Sequence, residues 1–337
     1  MIDRGPEGGE EMRDGFGRRI EYLRISVTDK CNLRCVYCMP LEGLQWLRRD
    51  EILRFEEIAE IVRTMARMGL RRLRITGGEP LVRRNLPALV RMIAEVPGIE
   101  DVALSTNGVL LAPLAEELRE AGVHRVNVSL DSLRPERIDA IARRAGVHAE
   151  IFEGLAAAER AGFSPIKINT VVMRGRNDDE ILDFARATLD RPWHVRFIEV
   201  MPVGANLDIS AEEYIPAYEI LDRVRAIGDL EPVPGPAGNG PARYFRLPDA
   251  VGTVGVITPM SHNFCDRCNR MRLTADGQLR PCLFGSIQTD LRGPLRRGEP
   301  LEPHIRRTLE VKPERHLLAL GSAAGSGGLI ALSQVGG

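Results

Sequence analysis

The first 200 residues alternate between two hydrophobic periods. Stretches with an apolar residue at every second position predict strands; they cover residues 22–27, 71–76, 101–106, 125–130, 165–172 and 195–200. Stretches with the helical period lie between them, as at 55–68 and 178–189. Six such units in series predict an α/β fold with parallel strands joined by right-handed crossovers. Periodicity alone does not choose between an open sheet and a partial barrel.

The predicted strands carry polar residues on one face. Strands covered by helices on both faces are usually continuous apolar runs, whereas these alternate. The polar positions include Arg24, Arg72, Arg74, Asn127, Lys167, Asn169 and Arg196. If the apolar face packs under the helices, the polar face lines the interior of a barrel. Buried cations need partners, so we expect an anionic ligand there; edge strands facing water would explain only one or two cases.

The pattern changes after residue 200. We predict a helix over 211–227, a Pro- and Gly-rich linker over 231–241, and strands over 243–247 and 252–258. Ala275-Asp276-Gly277 has the composition of a hairpin turn. The predicted organisation is a disordered tail at 1–19, a barrel domain at 20–228, a β-rich C-terminal extension at 229–320 and a flexible Gly-Gly tail at 321–337.

Charge and composition give no sign of a nucleic-acid-binding, membrane or secreted protein. A formal net charge of −1 gives no reason to expect nucleic acid or a membrane surface as a partner. No apolar stretch reaches the roughly 20 residues of a membrane span, and the N-terminus lacks the apolar core of a signal peptide. We therefore expect a cytoplasmic protein, in which the six cysteines are ligands rather than disulfides.

The first three cysteines have the spacing C-x3-C-x2-C, at Cys31, Cys35 and Cys38. A [4Fe–4S] cluster takes one thiolate per iron, so three cysteines leave one iron open. A structural zinc site would need a fourth ligand from elsewhere. The motif resembles that of the radical S-adenosylmethionine (SAM) superfamily, in which SAM chelates the open iron.

A second group has the spacing C-x2-C-x13-C, at Cys265, Cys268 and Cys282. Zinc is a serious alternative here, because His262 would complete a Cys3His set. Arg270 and Arg272 follow on one face of a predicted strand. Two guanidinium groups beside an open cluster suggest a phosphate clamp.

Polar residues also follow several predicted strands, where barrel enzymes place ligand contacts. Gly77-Gly78-Glu79-Pro80 follows the second strand, Ser105-Thr106-Asn107 ends the third and Ser129-Leu130-Asp131 ends the fourth. Two glycines permit close backbone approach to a ligand. A carboxylate at this position can accept hydrogen bonds from an amino group.

Longer strings resemble the GTP 3′,8-cyclase family of molybdenum cofactor biosynthesis. They include Leu23 to Cys31, Arg74 to Leu81, Val126 to Asp131, Met201 to Gly204 and, most distinctively, Cys265 to Gly277. The terminal Gly336-Gly337 is also typical of that family. The likeness extends from about residue 20 to residue 300.

This resemblance implies an incomplete (β/α)6 TIM-like barrel whose C-terminal extension carries a second [4Fe–4S] cluster. It assigns SAM binding to Tyr37, Gly78, Ser129 and Met201, with Gly77 and Glu79 as weaker candidates. It assigns GTP binding to Arg24, Arg74, Ser105, Lys167, Arg196, Arg270 and Arg272. A flavodoxin- or ferredoxin-like reductant, a downstream cyclic pyranopterin monophosphate synthase and a homodimer are the implied partners.

By the same resemblance, a 5′-deoxyadenosyl radical abstracts hydrogen from C3′ of GTP, and the carbon radical attacks C8 of guanine. The Gly-Gly end would reach the active site, although residues 330–335 differ from the expected approach. Arg72 stands where relatives often have lysine. Three alternatives stay open: a radical SAM enzyme acting on peptides, a protein with two structural zinc sites, and a nucleotide-binding regulator.

Overall fold

Six parallel strands with intervening helices form the centre of the molecule. The computed structural model describes residues 11–201, 211–238, 240–316 and 332–335. The strands are β1 (Tyr22–Ser26), β2 (Arg72–Thr76), β3 (Asp101–Thr106), β4 (Arg125–Ser129), β5 (Ile166–Val172) and β6 (Trp193–Glu199). The helices between them are α1 (Phe55–Arg67), α2 (Leu86–Ala94), α3 (Ala115–Glu120), α4 (Pro135–Ala142), α5 (Val147–Arg160) and α6 (Ile181–Asp190).

The alternation seen in the sequence separates two faces of this sheet. Leu23 and Ile25 of β1 are completely buried in the main hydrophobic core, together with Leu73 and Ile75 of β2. That core also contains the apolar face of α1. Because successive side chains of a strand point to opposite faces, the residues between these apolar positions face away from the helices.

The predicted helix over 211–227 was wrong in its first part. The structure has a single 3-10 turn at Ala211–Glu213, and α7 covers only Ala217–Val224. Pro216 lies at the N-cap of α7 in an extended conformation. Proline lacks the N–H that a preceding turn of helix would use, so the helix begins after it.

The C-terminal part of the chain adds strands to both edges of the six-stranded sheet. On one side lie β7 (Glu231–Val233), β8 (Arg243–Arg246) and β9 (Thr253–Ile257); on the other lie β10 (Arg270–Leu273), β11 (Gln278–Arg280) and β12 (Thr289–Asp290). β9 pairs in parallel with β6, and β10 pairs in parallel with β1. The result is one 12-stranded sheet in the order β12-β11-β10-β1-β2-β3-β4-β5-β6-β9-β8-β7.

Three further helices are described: α8 (Arg292–Arg296), α9 (Glu302–Glu310) and α10 (Leu332–Val335). No helix among the described residues is both long and apolar enough to span a bilayer.

Residues 11–19, expected to belong to a disordered tail, pack against the body of the protein. Met12 is buried and exchanges backbone hydrogen bonds with Met68 and Ile20. Asp14 and Arg18 form an ion pair of 2.6 Å with almost no exposed side-chain surface. The apolar Met12 and this internally paired charge explain why a segment of polar composition packs so closely. Residues 1–10 lie outside the described part.

Candidate active site

One cavity of about 320 Å³ lies between the barrel strands and the C-terminal extension. Its walls include all six cysteines, in two groups of three. They also include every residue expected to bind SAM, namely Tyr37, Gly77, Gly78, Glu79, Ser129 and Met201. Six of the seven residues expected to bind GTP line it as well: Arg24, Arg74, Ser105, Arg196, Arg270 and Arg272. Folding therefore brings two distant segments of the chain to one site.

Strand register places three arginines side by side on the cavity wall. Arg24 of β1 is the register partner of Arg74 on β2 and of Arg272 on β10. Burial and the charges of Arg272 and Arg74 keep the pKa of Arg24 well below its usual value. Burial and Arg270 likewise lower the pKa of Arg272 to about 10. Like charges in adjacent register repel one another, so this row favours an anionic ligand.

Polar residues of the inner strand faces hold Arg74 of this row and one further cavity arginine, Arg196. Arg74 donates to Ser105 Oγ at 3.3 Å, and Arg196 donates to Asn127 Oδ1 at 2.8 Å. Neither Arg74 nor Arg196 forms an ion pair with a carboxylate among the described residues, and the Nε of each has no hydrogen-bond partner there. Buried guanidinium groups with unused donors are typical of a site built for a ligand.

Lys167 does not line the cavity. It lies two residues closer to the amino-terminal end of β5 than Asn169, whose register partner is Arg196; both of those residues do line the cavity. Its Nζ donates to the carbonyl oxygen of Ala237 at 2.5 Å, in the predicted linker. Burial and the nearby Arg196 lower the pKa of Lys167 to about 6. The linker thus covers this lysine.

Arg72 is also separate from the cavity walls. It forms ion pairs with Glu21 at 2.5 Å and with Glu100 at 3.8 Å. Alternation in the sequence placed Arg72 and Arg74 on the same face of β2. It did not show that carboxylates neutralise Arg72, which leaves Arg74 as the β2 arginine at the cavity.

The first cysteine group lies on a loop held by backbone contacts. Cys38 and Met39 both donate from their backbone N–H to the carbonyl of Cys35, and Cys31 Sγ accepts from the N–H of Leu33 at 3.4 Å. Burial raises the pKa of Cys31 to about 11 and that of Cys35 well above its usual value. Metal binding would have to drive the deprotonation of these thiols.

Gly77 and Gly78 allow the turn after β2 to pass directly against this loop. A Cβ at Gly78 would collide with the carbonyl oxygens of Lys30 and Asp29, the second at only 2.6 Å. At Gly77 it would lie 2.7 Å from the carbonyl oxygen of Thr28. Only glycine permits this approach, which explains the Gly-Gly pair physically.

The carboxylate of Glu79 is buried and accepts hydrogen bonds from three protein donors. It accepts hydrogen bonds from Leu81 N at 3.0 Å, Thr106 Oγ1 at 2.7 Å and Asn107 N at 2.7 Å. Burial nevertheless raises its pKa to about 7. Glu79 therefore fastens the end of β2 to the end of β3, besides contributing to the cavity wall.

Asp131, which the sequence placed among the polar strand ends without a role of its own, contacts the cavity residue Tyr37. Its Oδ2 accepts from the Tyr37 hydroxyl at 2.7 Å, and its Oδ1 accepts from Val171 N at 2.8 Å. It thereby orients the tyrosine that lies between Cys35 and Cys38. The position of Asp131 two residues beyond Ser129 was the available signal.

The second cysteine group lies in a more cationic environment. Although burial alone would raise the pKa of Cys268, Arg270 and Lys312 together lower it to about 7. His262, the possible zinc ligand, is exposed and is absent from the cavity walls. His316 lines the cavity instead, with its ring 4.5 Å from that of Phe284. No sequence pattern connected Lys312 or His316 with these cysteines.

The donor set of each group fits an iron–sulfur cluster. All six cysteines are free and partly buried. A [4Fe–4S] cluster takes one thiolate per iron, so three cysteines would leave one iron open to a further ligand.

Comparison with known proteins agrees with this architecture. Residues 25–188 match the radical SAM superfamily, and residues 193–318 match the family described as Molybdenum Cofactor Synthesis C. The SuiB protein of Streptococcus suis has a similar fold, with a TM-score of 0.59 at 13% identity, over 80% of this chain and 63% of SuiB. The partial barrel and its three-cysteine loop define a radical SAM protein.

Relatives of much higher identity specify the family. The GTP 3′,8-cyclase of Pelotomaculum thermopropionicum is 52% identical over 92% of this chain and 96% of its own length. That of Moorella thermoacetica is 50% identical over 97% of this chain and its full length. The chain belongs to the GTP 3′,8-cyclase family.

Proposed function

We propose that this protein is a radical SAM cyclase that converts GTP to (8S)-3′,8-cyclo-7,8-dihydro-GTP, the first step of molybdenum cofactor biosynthesis. The observation that carries the proposal is the row Arg272–Arg24–Arg74 on a cavity bordered by both cysteine groups. A triphosphate supplies the dispersed negative charge that such a row requires. Family membership at 50% identity specifies the nucleotide.

Cys31, Cys35 and Cys38 would hold one [4Fe–4S] cluster, and Cys265, Cys268 and Cys282 a second. With SAM bound, a cluster at these cysteines would supply the one-electron chemistry that hydrogen abstraction from C3′ of GTP requires. Tyr37, Gly78, Ser129 and Met201 surround the SAM position in this proposal. The second cluster would hold the guanine base.

The cationic wall would then orient GTP between the two clusters. Arg24, Arg74 and Arg272 would bind the triphosphate, while Arg196 and Ser105 add hydrogen-bond donors. Arg270 lies with its guanidinium 4.8 Å from the ring of Phe264 and closes the wall beside Cys268. Lys167 would join the site only if the Ala237 carbonyl moved away from its ammonium group.

The partners belong to the same proposal. A small one-electron carrier such as a flavodoxin or ferredoxin would reduce the first cluster, and a cyclic pyranopterin monophosphate synthase would consume the product. We place the protein in the cytoplasm, with a homodimer as its assembly.

The test uses anaerobically reconstituted protein, SAM, a strong reductant and GTP deuterated at C3′. Mass spectrometry would quantify 5′-deoxyadenosine and the cyclised nucleotide. We expect both products in equal amounts, with the deuterium in 5′-deoxyadenosine. The matched control is Arg72→Gln, which removes a cation that Glu21 already neutralises.

Each other result contradicts the proposal in a recognisable way. SAM cleavage without conversion of GTP would indicate another substrate, with peptides as the first to try. Bound zinc without iron or sulfide would support two structural zinc sites. GTP binding without SAM cleavage would support a nucleotide-binding regulator.

A further inference from the structure

Lys312 has an unusual position for a lysine. Its side chain is almost completely buried, with 3% of its surface exposed. Its Nζ donates to the carbonyl oxygen of Pro281 at 2.5 Å, to that of Arg270 at 3.0 Å and to Cys268 Sγ at 3.7 Å. An ammonium group has three N–H donors, and here all three are used.

These contacts join the two separate parts of the second cysteine group. Arg270 follows Cys268 by two residues, and Pro281 immediately precedes Cys282. The β10–β11 hairpin lies between them. Lys312 therefore fixes the distance between the loop that carries Cys268 and the end of the strand that leads to Cys282.

The positive charge of Lys312 lies beside the sulfur atom of Cys268. No carboxylate in the described ranges forms an ion pair with it, so sulfur is the acceptor of anionic character among its three contacts. A buried cation requires a nearby negative charge. A cysteine thiolate, alone or as a cluster ligand, supplies one. By contrast, Cys31 of the first group accepts from the neutral amides of Leu33 and Asn107.

Hydrogen bonds from Arg18 hold the segment that follows Lys312 in place. Arg18 donates to the carbonyl oxygens of Pro313 at 2.6 Å and Glu314 at 2.7 Å, and also to that of Cys265 at 2.7 Å. Arg18 thus holds the segment after Lys312 against the backbone of Cys265 in the second group.

We propose that Lys312 is a positioning residue for the second cluster: it holds Cys268 and Cys282 at ligand spacing and, through its N–H···S contact, raises the reduction potential of that cluster. Hydrogen bonds to ligand sulfurs and local charge are general determinants of cluster potential. Outer contacts of this kind commonly change metal affinity by about 10–100-fold. The inference rests on the proposed function, because it requires that the second group hold a cluster.

The experiment uses the full-length chain with Cys31, Cys35 and Cys38 all replaced by alanine, so that only the second cluster is loaded. Into this parent we introduce Lys312→Met, which keeps the length but removes charge and donors, and Lys312→Arg, which keeps the charge. Arg307→Met is the matched control, because it removes an exposed cation from α9, the helix immediately before Lys312. Circular dichroism reports folding, a chelator assay reports iron loss, and a redox titration followed by electron paramagnetic resonance reports potential.

We expect the Lys312→Met protein to lose iron about 10–100-fold faster and to show a more negative midpoint potential. Lys312→Arg should recover the potential in part, since charge and N–H donors are retained in a different geometry, and Arg307→Met should match the parent. Folded Lys312→Met protein with unchanged potential and unchanged iron loss would overturn the proposal. If Lys312→Met does not fold, Lys312→Gln takes its place, because it also removes the charge; unchanged potential together with unchanged iron loss in that variant overturns the proposal. A parent that binds no iron would overturn the proposed second cluster itself.

Discussion

At the scale of single residues, arginines on the same face of a strand differ in whether a carboxylate neutralises their charge. Arg72 and Arg74 share one face of β2, but Arg72 is paired with the carboxylates of Glu21 and Glu100, whereas Arg74 donates to the neutral Ser105 hydroxyl. The second arrangement leaves a positive charge beside the cavity. We therefore expect the partners of the arginines, rather than their number, to decide how strongly the cavity binds anions.

Replacing Arg74 should weaken nucleotide binding selectively. A hydrogen bond to a charged group contributes about 1.5–3 kcal/mol, so Arg74→Gln should raise the dissociation constant for GTP about 10–100-fold. Isothermal titration of the reconstituted protein measures this constant. Arg72→Gln should bind GTP like the parent, and equal losses in the two variants would argue against a triphosphate site on this wall.

Glu79 should give the fold a measurable pH dependence. Its folded-state pKa is about 7, above the ordinary value of 4.5, because burial outweighs its hydrogen bonds. Between these two values the native state keeps a proton that the unfolded state has lost, so rising pH destabilises the fold. Asp131, with a pKa of about 6 for the same reason, acts in the same direction.

The measurement is denaturant unfolding of the cluster-free protein and of Glu79→Gln. From pH about 4.5 to about 7, the free energy of unfolding of the parent should decline relative to that of the variant. The decline should reach at most about 1.4 kcal/mol per pH unit. A constant difference across this range would show that the Glu79 carboxyl titrates normally.

At the scale of elements, the turn after β2 and the first cysteine loop form one packed unit. The turn approaches so closely that Gly78 N donates to Thr28 O at 2.8 Å and Glu79 N donates to Lys30 O at 2.8 Å. These bonds place the cysteine loop over the carboxyl ends of the barrel strands. The loop is therefore positioned by strand β2 rather than by its own sequence alone.

A methyl group at Gly78 should disturb this unit. Gly78→Ala would force its Cβ against the carbonyl of Asp29 at 2.6 Å, and such overpacking costs about 1–3 kcal/mol. We expect a lower melting temperature and less iron at the first cluster after reconstitution. Gly15→Ala is the control, because its Cβ would make an ordinary contact of 3.5 Å. Equal behaviour of the two variants would show that the turn has room to adjust.

At the scale of the whole molecule, the C-terminal extension contributes to the site from both edges of the barrel. β10 brings Arg270 and Arg272 beside β1, while β9 extends the sheet beyond β6. The last described helix, α10, adds Leu332, which is 7% exposed and lines the cavity. The chain thus returns to the cavity five residues before its last residue.

Removal of Gly336-Gly337 tests whether the end of the chain takes part in turnover. These two residues lie outside the described ranges, but Leu332 places the preceding segment at the cavity wall. We expect the truncated protein to assemble both clusters and to lose most of its GTP conversion. Iron and sulfide analysis checks the first part and mass spectrometry the second. Normal conversion would exclude a role for this terminus.

Local sequence was sufficient for much of the architecture. Apolar alternation located the six central strands within two residues at each end, as in 22–27 for Tyr22–Ser26, because side-chain period reports burial directly. Cysteine spacing separated two groups of three, and the structure places both groups at one cavity. The same patterns placed Arg24, Arg74 and Arg196 on one inner face.

Tertiary structure alone decided how those residues meet. Edge strands pair through backbone groups that every residue carries. The side-chain pattern therefore did not predict that β10 would pair with β1 and place Arg272 beside Arg24. The burial of Lys167 under Ala237 and the contacts of Lys312 with the second cysteine group likewise join segments far apart in the chain. Sequence periodicity describes which face a residue occupies, whereas neighbours across the sheet are set by the global pairing of strands.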